Sequence, residues 1–228
     1  MCYFRASKLL ITLTKIKFTK LHQKELLIGL EYLGSINYYR LLMQYDKVWL
    51  EQHENFVKSS YRNRCYITGP NGILMLSIPV KGGKSHRQQY IETQIDYESR
   101  EWQKIHWKSF CAAYRRSPFF EYYEDAFHPF YHKHFNTIFD YNWQLMQLII
   151  KLVGLDITIG LTDEYEKAPT GQIDDYRMTN RPNSPALDHL AVPDYQQVFI
   201  ERTGFIPHLS IVDLLFNLGP ETKTALLL

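Results

Sequence analysis

The feature of this sequence that most constrains its fold is a strand–helix–strand pattern over residues 25–53. The apolar run "ELLIGLEYL" is typical of a strand and leads to Ser35, an N-cap residue followed by apolar side chains at helical spacing. The next run, "KVWLEQH", is again strand-like and places His53 at its end. Two strands joined by one short helix predict a right-handed βαβ unit with parallel strands.

The following segment predicts an antiparallel hairpin. The runs "YRNRCYIT" and "ILMLSIPV" flank "GPNG", in which Pro70 presets one turn dihedral and Asn71 or Gly72 tolerates the left-handed one. The stretch "IETQIDY" (residues 91–97) has the period-two alternation of a half-buried strand. Together with the βαβ unit, these strands predict a mixed sheet.

Helices are predicted to cover this sheet. One occupies about residues 101–116, and a longer one begins at Pro129 and ends at Gly154. Residues 163–193 have no sustained period and are predicted to be a long loop, either a functional flap or a disordered segment. The predicted fold class is α/β: a mixed β-sheet with an N-terminal βαβ unit, a β-hairpin and a central group of covering helices.

Composition limits the class of protein. With 228 residues and 45% apolar side chains, the chain can bury a substantial core, and we expect a single domain over residues 25–228. Residues 1–24 contain six basic and no acidic side chains and are predicted to be a basic N-terminal extension, not a secretory signal. No apolar run reaches about eighteen residues, so we expect no membrane insertion. The formal charge of +2 is too small to indicate nucleic-acid binding.

Several familiar motifs are absent or incomplete. Cys2, Cys65 and Cys111 are far apart, which argues against a disulfide framework or a zinc site and favours a reducing cytoplasm. "GGKS" at 82–85 lacks the first glycine of a Walker loop, because Ile78 stands there. The histidines of "HPFYHKHF" have no suitably spaced third ligand, so we predict no metal site. Any cofactor and the oligomeric state stay open.

The first run of the hairpin contains the most suggestive polar residues. In an extended strand, Arg62 and Arg64 project from one face and Asn63 projects from the other. The βαβ unit would bring the N-terminus of the helix at Ser35 and the side chain of His53 to the edge where ligands of open α/β sheets bind. Paired guanidiniums suit a phosphate, a sugar diphosphate or a carboxylate. The alternative is a solvent-facing arginine pair on a hairpin.

Three further residues allow a structural and a chemical interpretation. His106 lies on a semi-apolar helix face, where it is either a proton-transfer group or a hydrogen-bonded core histidine. Ser210 and Asp213 are spaced as a capping box, in which the serine accepts from a helix N–H and the acid complements the positive helix end. No nucleophile elbow accompanies Ser210, which favours the structural interpretation.

These residues fall in stretches that resemble the WbqC-like protein family. "EYLGSINYYRLLMQYDKVWLEQHENFVKSSYRNRCYI" is similar to the N-terminal signature of the family, "WQKIHWKSFCAAYRRSPFFEYY" to its middle signature, and "YQQVF" with "GFIPHLSIVDLLFNLGP" to its C-terminal signature. The resemblance covers about residues 27–220. The polar residues that match the family motifs are His53, Arg62, Asn63, Arg64, His106, Tyr195, Gln197, Ser210 and Asp213.

The resemblance implies a role in bacterial O-antigen or other surface-polysaccharide biosynthesis, with amino-acyl transfer, glycine being suggested, to a sugar. We therefore expect a cytoplasmic transferase whose substrate is an anionic small molecule such as a sugar nucleotide. The alternative is a non-catalytic binding or scaffold protein of the same gene clusters. The catalytic candidates are His53, His106 and Asp213, with the histidines as general bases, and the ligand-binding candidates are Ser35, Arg62, Asn63, Arg64, Tyr195, Gln197 and Ser210.

Overall fold

The computed structural model describes residues 24–82, 88–178, 180–181, 184–185, 187 and 190–228. Of the predicted basic extension only Lys24 lies within these ranges, and residues 83–85 of "GGKS" lie outside them. The strands are β1 (Glu25–Gly29), β2 (Lys47–Glu51), β3 (Arg64–Gly69), β4 (Gly72–Ser77), β5 (Ile159–Leu161), β6 (Ile173–Asp175), β7 (Asn180–Arg181) and β8 (Ser184–Pro185). The helices are α1 (Ile36–Leu42), α2 (Trp102–Tyr114), α3 (Phe120–Phe127), α4 (Ile138–Val153), α5 (Ile200–Thr203), α6 (Ile211–Leu218) and α7 (Thr222–Leu227).

A four-stranded parallel sheet with the strand order β5-β2-β1-β6 forms one layer of the α/β fold. β1 pairs with β2 from Glu25 opposite Lys47 to Gly29 opposite Glu51, and this pairing confirms the predicted βαβ unit. Because all four strands run in one direction, their carboxyl ends meet at one edge of the sheet. The residues that follow Gly29 and Glu51 therefore lie at this edge.

The edge strand β6 lies inside the stretch that was predicted to be a continuous loop, and this prediction is wrong at residues 173–175, 180–181 and 184–185, which form short strands. Ile173 lies opposite Glu25, and the short strand adds to β1 in parallel register. The β7 and β8 segments form a further antiparallel pair. Three-residue strands have too few side chains to show a period, so their position depends on the partner strand.

The start of α1 agrees with the sequence. The side chain of Ser35 accepts a hydrogen bond from the backbone N–H of Tyr38 at 3.1 Å, as expected of an N-cap. Gly34 allows the Tyr38 ring to come close, because a Cβ atom at position 34 would lie 2.7 Å from that ring. The Tyr38 hydroxyl donates to the carbonyl of Gly29 at 3.1 Å, which ties α1 to the end of β1.

The predicted hairpin is present as a separate two-stranded sheet of β3 and β4. Gly69 lies opposite Gly72 across the "GPNG" turn, and Gly72 has a φ of 105°. β3 begins only at Arg64, so residues 61–63 form a turn before the strand. The prediction that Arg62 and Arg64 project from the same strand face is therefore wrong.

Two element predictions in the middle of the chain also need correction. The first two residues of "IETQIDY" belong to a 3₁₀ helix, Tyr90–Glu92, and the rest forms only isolated bridges. The fully buried Tyr90 anchors this segment, because its hydroxyl donates to the carbonyl of Leu30. The long helix predicted from Pro129 is interrupted, since Pro129 lies in the short 3₁₀ helix His128–Tyr131 and α4 starts after the N-cap Thr137. Gly154 ends α4 with a φ of 70°, as predicted.

The two faces of the parallel sheet differ in their surroundings. Side chains alternate along a strand, so Leu26, Ile28, Val48 and Leu50 share one face, and each is at most 1% exposed within the main core. The opposite face carries Glu25, Leu27, Trp49 and Glu51. Within the described ranges, none of the helices has the length and apolar content needed to cross a bilayer.

Candidate functional site

Glu51, the last residue of β2, is the centre of a buried ionic network at the carboxyl edge of the parallel sheet. Its side chain is 0% exposed. One carboxylate oxygen accepts from the Thr162 hydroxyl at 3.0 Å and from the backbone N–H of His53 at 2.8 Å. The other accepts from the Arg177 guanidinium at 3.0 Å. Both oxygens are therefore held by fixed donors.

Arg177 follows β6 and links this network to the edge strand. Its guanidinium donates to both carboxylate oxygens of Asp175, at 3.0 and 2.7 Å. Burial raises the pKa of Asp175, but the hydrogen bonds and charge of Arg177 outweigh this effect and hold the pKa below its ordinary value. Because Arg177 also bonds Glu51, one guanidinium joins the ends of β2 and β6.

Arg62 completes this sheet-edge network, which we define as Glu51, Glu54, Arg62, Asp175 and Arg177. Its guanidinium binds Glu54 in a bidentate manner, with nitrogen–oxygen distances of 2.6 and 2.5 Å, and also donates to the carbonyl of Arg177 at 3.1 Å. Arg62 and Glu54 are both about 4% exposed. The Arg62 guanidinium was expected to hold an anion, but most of its N–H donors are thus bound to oxygen atoms of the protein.

The neighbours of Arg62 point elsewhere. Arg64 donates to the hydroxyl of Ser59 at 2.8 Å on the exposed side of the hairpin. Asn63 donates to the carbonyl of Ile78 at 3.0 Å and so fastens the turn to the end of β4. The predicted oxyanion clamp of two arginines is not formed by this arrangement.

A cleft of about 300 Å³, which we call the sheet-face cleft, lies against the second face of the parallel sheet, beside the sheet-edge network. Leu27, Trp49 and Ile173 supply apolar surface from three strands. The segment from Thr162 to Pro169 lines the cleft, together with Glu51 and Arg177. The half-buried Trp49 is oriented by a hydrogen bond from its indole N–H to Glu25 at 2.7 Å, and its ring packs close to Gly160.

Carboxylates dominate the polar lining of this cleft. They are Glu25, Glu51, Asp163, Glu164 and Glu166, and they face a single guanidinium, that of Arg177, which is already paired. Carboxylates accept hydrogen bonds and attract cations. The lining therefore suits hydroxyl and ammonium groups better than phosphates, while the Trp49 ring offers an apolar platform.

Asp213 lies in a second polar group, the Asp213 cluster of Tyr114, Tyr195, Gln197 and Asp213. Tyr114 and Tyr195 donate to its two carboxylate oxygens at 2.7 and 2.6 Å, and Gln197 donates at 3.3 Å. Gln197 also bonds both the N–H and the carbonyl of Ile206. Burial raises the pKa of Asp213 despite these donors. The cluster ties α2 and α6 to the segment of Tyr195 and Gln197 in the interior.

The predicted capping box is only half formed. The side chain of Ser210 accepts from the N–H of Val212 at 3.4 Å and donates to the carbonyl of Leu33 at 2.7 Å. Asp213 does not complete the box, because the N–H of Ser210 donates to the carbonyl of Tyr66 and the carboxylate accepts from the two tyrosines. Ser35 and Ser210 are bridge partners, so both serines have structural contacts.

His106 is a core histidine, 3% exposed. Its Nδ1 atom lies 2.9 Å from the hydroxyl of Tyr32, which in turn lies 3.1 Å from the hydroxyl of Tyr131. Burial lowers the pKa of His106 to about 3, so the ring stays neutral at ordinary pH. His106 is not among the residues that line the sheet-face cleft.

The structure thus separates the predicted site residues. His53 and Arg62 lie at the sheet edge, whereas Tyr195, Gln197 and Asp213 lie together in the interior. Sequence reasoning missed Trp49, Glu51, Glu54, Thr162 and Arg177. Glu51 and Glu54 flank His53 at a strand end, where the rule for parallel sheets could have selected them. Among the described residues, no group of three or more His, Cys, Asp or Glu is placed to hold a metal ion.

Comparisons with known proteins agree with the sequence resemblance. A family model described as "WbqC-like protein family" matches residues 31–180. A curated protein of Mycobacterium tuberculosis (strain ATCC 25618 / H37Rv), "Uncharacterized protein Rv1507c", is 24% identical over 225 residues, covering 87% of this chain and 95% of the relative. No solved structure matches this chain.

Proposed function

The chain belongs to the WbqC-like protein family, and on this premise we propose that it is a transferase of bacterial surface-polysaccharide biosynthesis that transfers an amino-acyl group, glycine being the simplest, to a sugar. The acceptor sugar occupies the sheet-face cleft. The carboxylates of the cleft bind its hydroxyl groups and the ammonium group of the aminoacyl unit.

The combination of Trp49 with the carboxylates in one cleft carries this proposal. A sugar has an apolar ring face and a rim of hydroxyls, and an aromatic ring beside oxygen acceptors matches both surfaces. Glu51 and Thr162 are held in place by the network at the end of β2, so these polar groups are preorganised. Preorganised acceptors lose little entropy when a ligand binds.

The charge of the cleft also favours a glycyl unit over a pyrophosphate. An ammonium group gains from the exposed carboxylates of Glu164 and Glu166, whereas a diphosphate would be repelled. A sugar nucleotide stays part of the proposal as the anionic acceptor, with its phosphates directed away from these carboxylates.

In the proposed reaction, an acceptor hydroxyl or amine attacks the carbonyl carbon of the activated aminoacyl group. The bond to the carrier group breaks, the carrier leaves with the electron pair, and a general base takes the proton of the acceptor. His53 is our candidate for this base, because its backbone N–H is fixed to Glu51 at the cleft end of β2.

Ligand binding measured by calorimetry tests the proposal. The panel contains glucosamine, N-acetylglucosamine, glycinamide and UDP-N-acetylglucosamine. We expect the amino sugar and glycinamide to bind, and Trp49→Ala to weaken the sugar at least tenfold because the platform is lost. Tyr122→Ala is the matched control, since the Tyr122 side chain is 83% exposed and lies outside the cleft.

Two results would contradict the proposal. One is a panel in which no member binds. The other is tight binding of UDP-N-acetylglucosamine that Trp49→Ala leaves unchanged and Arg64→Ala abolishes, since this result would restore the hairpin arginine as the anion site.

A second candidate function, a non-catalytic scaffold, is favoured by one specific observation. Ile73, Leu74 and Met75 are three consecutive apolar residues on β4, exposed by 62, 38 and 45%. Exposed apolar strands at a sheet edge can pair with another chain. If Met75→Lys abolishes co-purification with other proteins of the same gene cluster while the cleft binds no sugar, the scaffold function is supported.

A further inference from the structure

A second cleft, of about 280 Å³, lies at the N-terminus of α2 and has the opposite character from the sheet-face cleft. It is lined by the first turn of α2 and by the segment that follows the 3₁₀ helix His128–Tyr131. Gln103 fixes these two segments together, because its side-chain amide donates to the carbonyls of Phe130 and Lys133 at 3.0 and 2.6 Å. These two hydrogen bonds therefore hold the two walls of the cleft in place.

The N-terminus of α2 offers backbone donors to this cleft. The helix has 13 residues, and its N-cap, Glu101, makes no side-chain capping bond. The N–H of Trp102 donates to the carbonyl of Arg100, and the N–H groups of Gln103 and Lys104 belong to the first turn of the helix, where no intrahelical acceptor is available. Free N–H groups and the helix dipole together favour a negative charge at this position.

Trp102 gives an independent indication of a ligand. This residue lines the cleft and is 2% exposed. Its indole N–H has no hydrogen-bond partner in the described part of the chain. A buried donor without an acceptor is costly, and most such donors in native proteins are paired. An oxygen atom of a bound ligand would supply the missing acceptor.

The side chains around the cleft are predominantly basic. Arg100 forms no ion pair among the described residues, and Lys104 is paired only with the exposed Glu101. His132 and His134 lie on the opposite wall, where His134 stacks on Tyr97 with a ring separation of 4.0 Å. Glu101 is the one carboxylate of this lining.

We propose that the cleft at the N-terminus of α2 binds a compact oxyanion, a phosphate or carboxylate group. The first-turn N–H groups and the Trp102 indole N–H donate to its oxygens, and Arg100 and Lys104 neutralise its charge. This site is separate from the sheet-face cleft, so the inference does not depend on the proposed transferase activity.

Two-dimensional NMR of the full chain tests this site, because the four tryptophans give four indole N–H signals. The probes are inorganic phosphate, glucose 1-phosphate, acetate and chloride at constant ionic strength. We expect phosphate to shift the indole signal that Trp102→Phe removes, and to leave the signals of Trp49 and Trp143 unchanged. Tighter binding of glucose 1-phosphate than of inorganic phosphate would identify a sugar phosphate as the source, and tighter binding of acetate would identify a carboxylate.

Variants that remove a charge test whether basic side chains strengthen phosphate binding and the acidic side chain weakens it. Arg100→Ala should weaken phosphate about tenfold, as expected for loss of a charge-assisted hydrogen bond. Glu101→Gln should tighten phosphate about two- to threefold, because it removes the one negative side chain and releases Lys104. Arg116→Ala, at the other end of the same helix and also exposed, is the control and should have no effect.

Equal weakening by Arg100→Ala and Arg116→Ala would overturn the proposal, since only non-specific attraction would then operate. The absence of any shift of the Trp102 signal with all four probes would also overturn it. If Trp102→Phe does not fold, the opposite signs expected for Arg100→Ala and Glu101→Gln still decide the question.

Discussion

The sheet-edge network and the Asp213 cluster are both buried and polar, yet they are built from different donors. In the sheet-edge network, two guanidiniums form ion pairs with three carboxylates. In the Asp213 cluster, the carboxylate accepts only from neutral groups, two phenol hydroxyls and one amide. The first borders a cleft through Glu51 and Arg177, and the second borders none of the described clefts.

This difference shows that two buried polar clusters can serve different purposes in the same fold. Polar groups that face a cleft can exchange a protein partner for a ligand, whereas groups sealed in the interior fix one packing of the elements. We therefore propose that the sheet edge serves ligand binding, whereas the Asp213 cluster joins α2, α6 and the segment of Tyr195 and Gln197.

The largest effect is expected from Arg62→Ala. The substitution leaves Glu54 as an unpaired buried charge, which should lower the free energy of unfolding by about 3–5 kcal/mol. Urea denaturation at pH 7 measures it. The control is Arg62→Met combined with Glu54→Leu, which removes both charges and should lie within about 1 kcal/mol of the native chain. A single variant as stable as the double variant would mean that this ion pair is dispensable.

His106 provides the next largest effect, through pH. Its pKa is about 3 in the folded chain and about 6.5 in an unfolded one. Between these two pH values, His106 is protonated in the unfolded chain and neutral in the folded chain. The free energy of unfolding therefore falls as the pH decreases. From pH 7 to pH 4.5 this group should remove about 2.5 kcal/mol of stability. His106→Gln should lack this part of the pH dependence, and parallel curves for the two proteins would contradict the sealed position of His106.

Asp213→Asn tests the sealed cluster with a smaller expected change. The amide keeps one oxygen acceptor for a tyrosine hydroxyl and replaces the other with a donor, so we expect a loss of about 1–3 kcal/mol in unfolding free energy. Sugar binding to the sheet-face cleft should be unchanged in the same protein. If the folded variant no longer binds sugar, Asp213 would again be a candidate catalytic residue.

The part of this fold that the sequence predicted is the part with local signals. The βαβ unit, the "GPNG" hairpin and the end of α4 at Gly154 depend on periodicity, turn residues and caps within a few positions of each other. β6 was missed because its three residues acquire their position from pairing with β1. A strand start at Arg64, three residues later than the pattern indicated, was enough to turn Arg62 away from Arg64.

The candidate site was less predictable than the fold for the same reason. Arg62 was selected as a free cation, and Glu54, only eight residues earlier, neutralises it through a contact that no spacing rule specifies. Arg177 comes from a stretch that showed no period at all. Whether a histidine or an aspartate is sealed or accessible depends on long-range packing, which the residue type does not reveal.

The smallest change in stability, but a clear change in binding, is expected from Thr162→Val. The substitution removes one hydroxyl donor to Glu51, while Arg177 and the N–H of His53 continue to hold that carboxylate. Unfolding free energy should fall by about 0.5–1.5 kcal/mol, and glucosamine should bind severalfold more weakly because a polar group of the cleft is lost. Thr203→Val is the matched control: it removes a hydroxyl bond to the carbonyl of Phe199 on α5, outside the cleft, and should lower stability by a similar amount without affecting binding. Equal binding by the two variants would mean that the sheet edge, like the Asp213 cluster, serves only to hold the fold together.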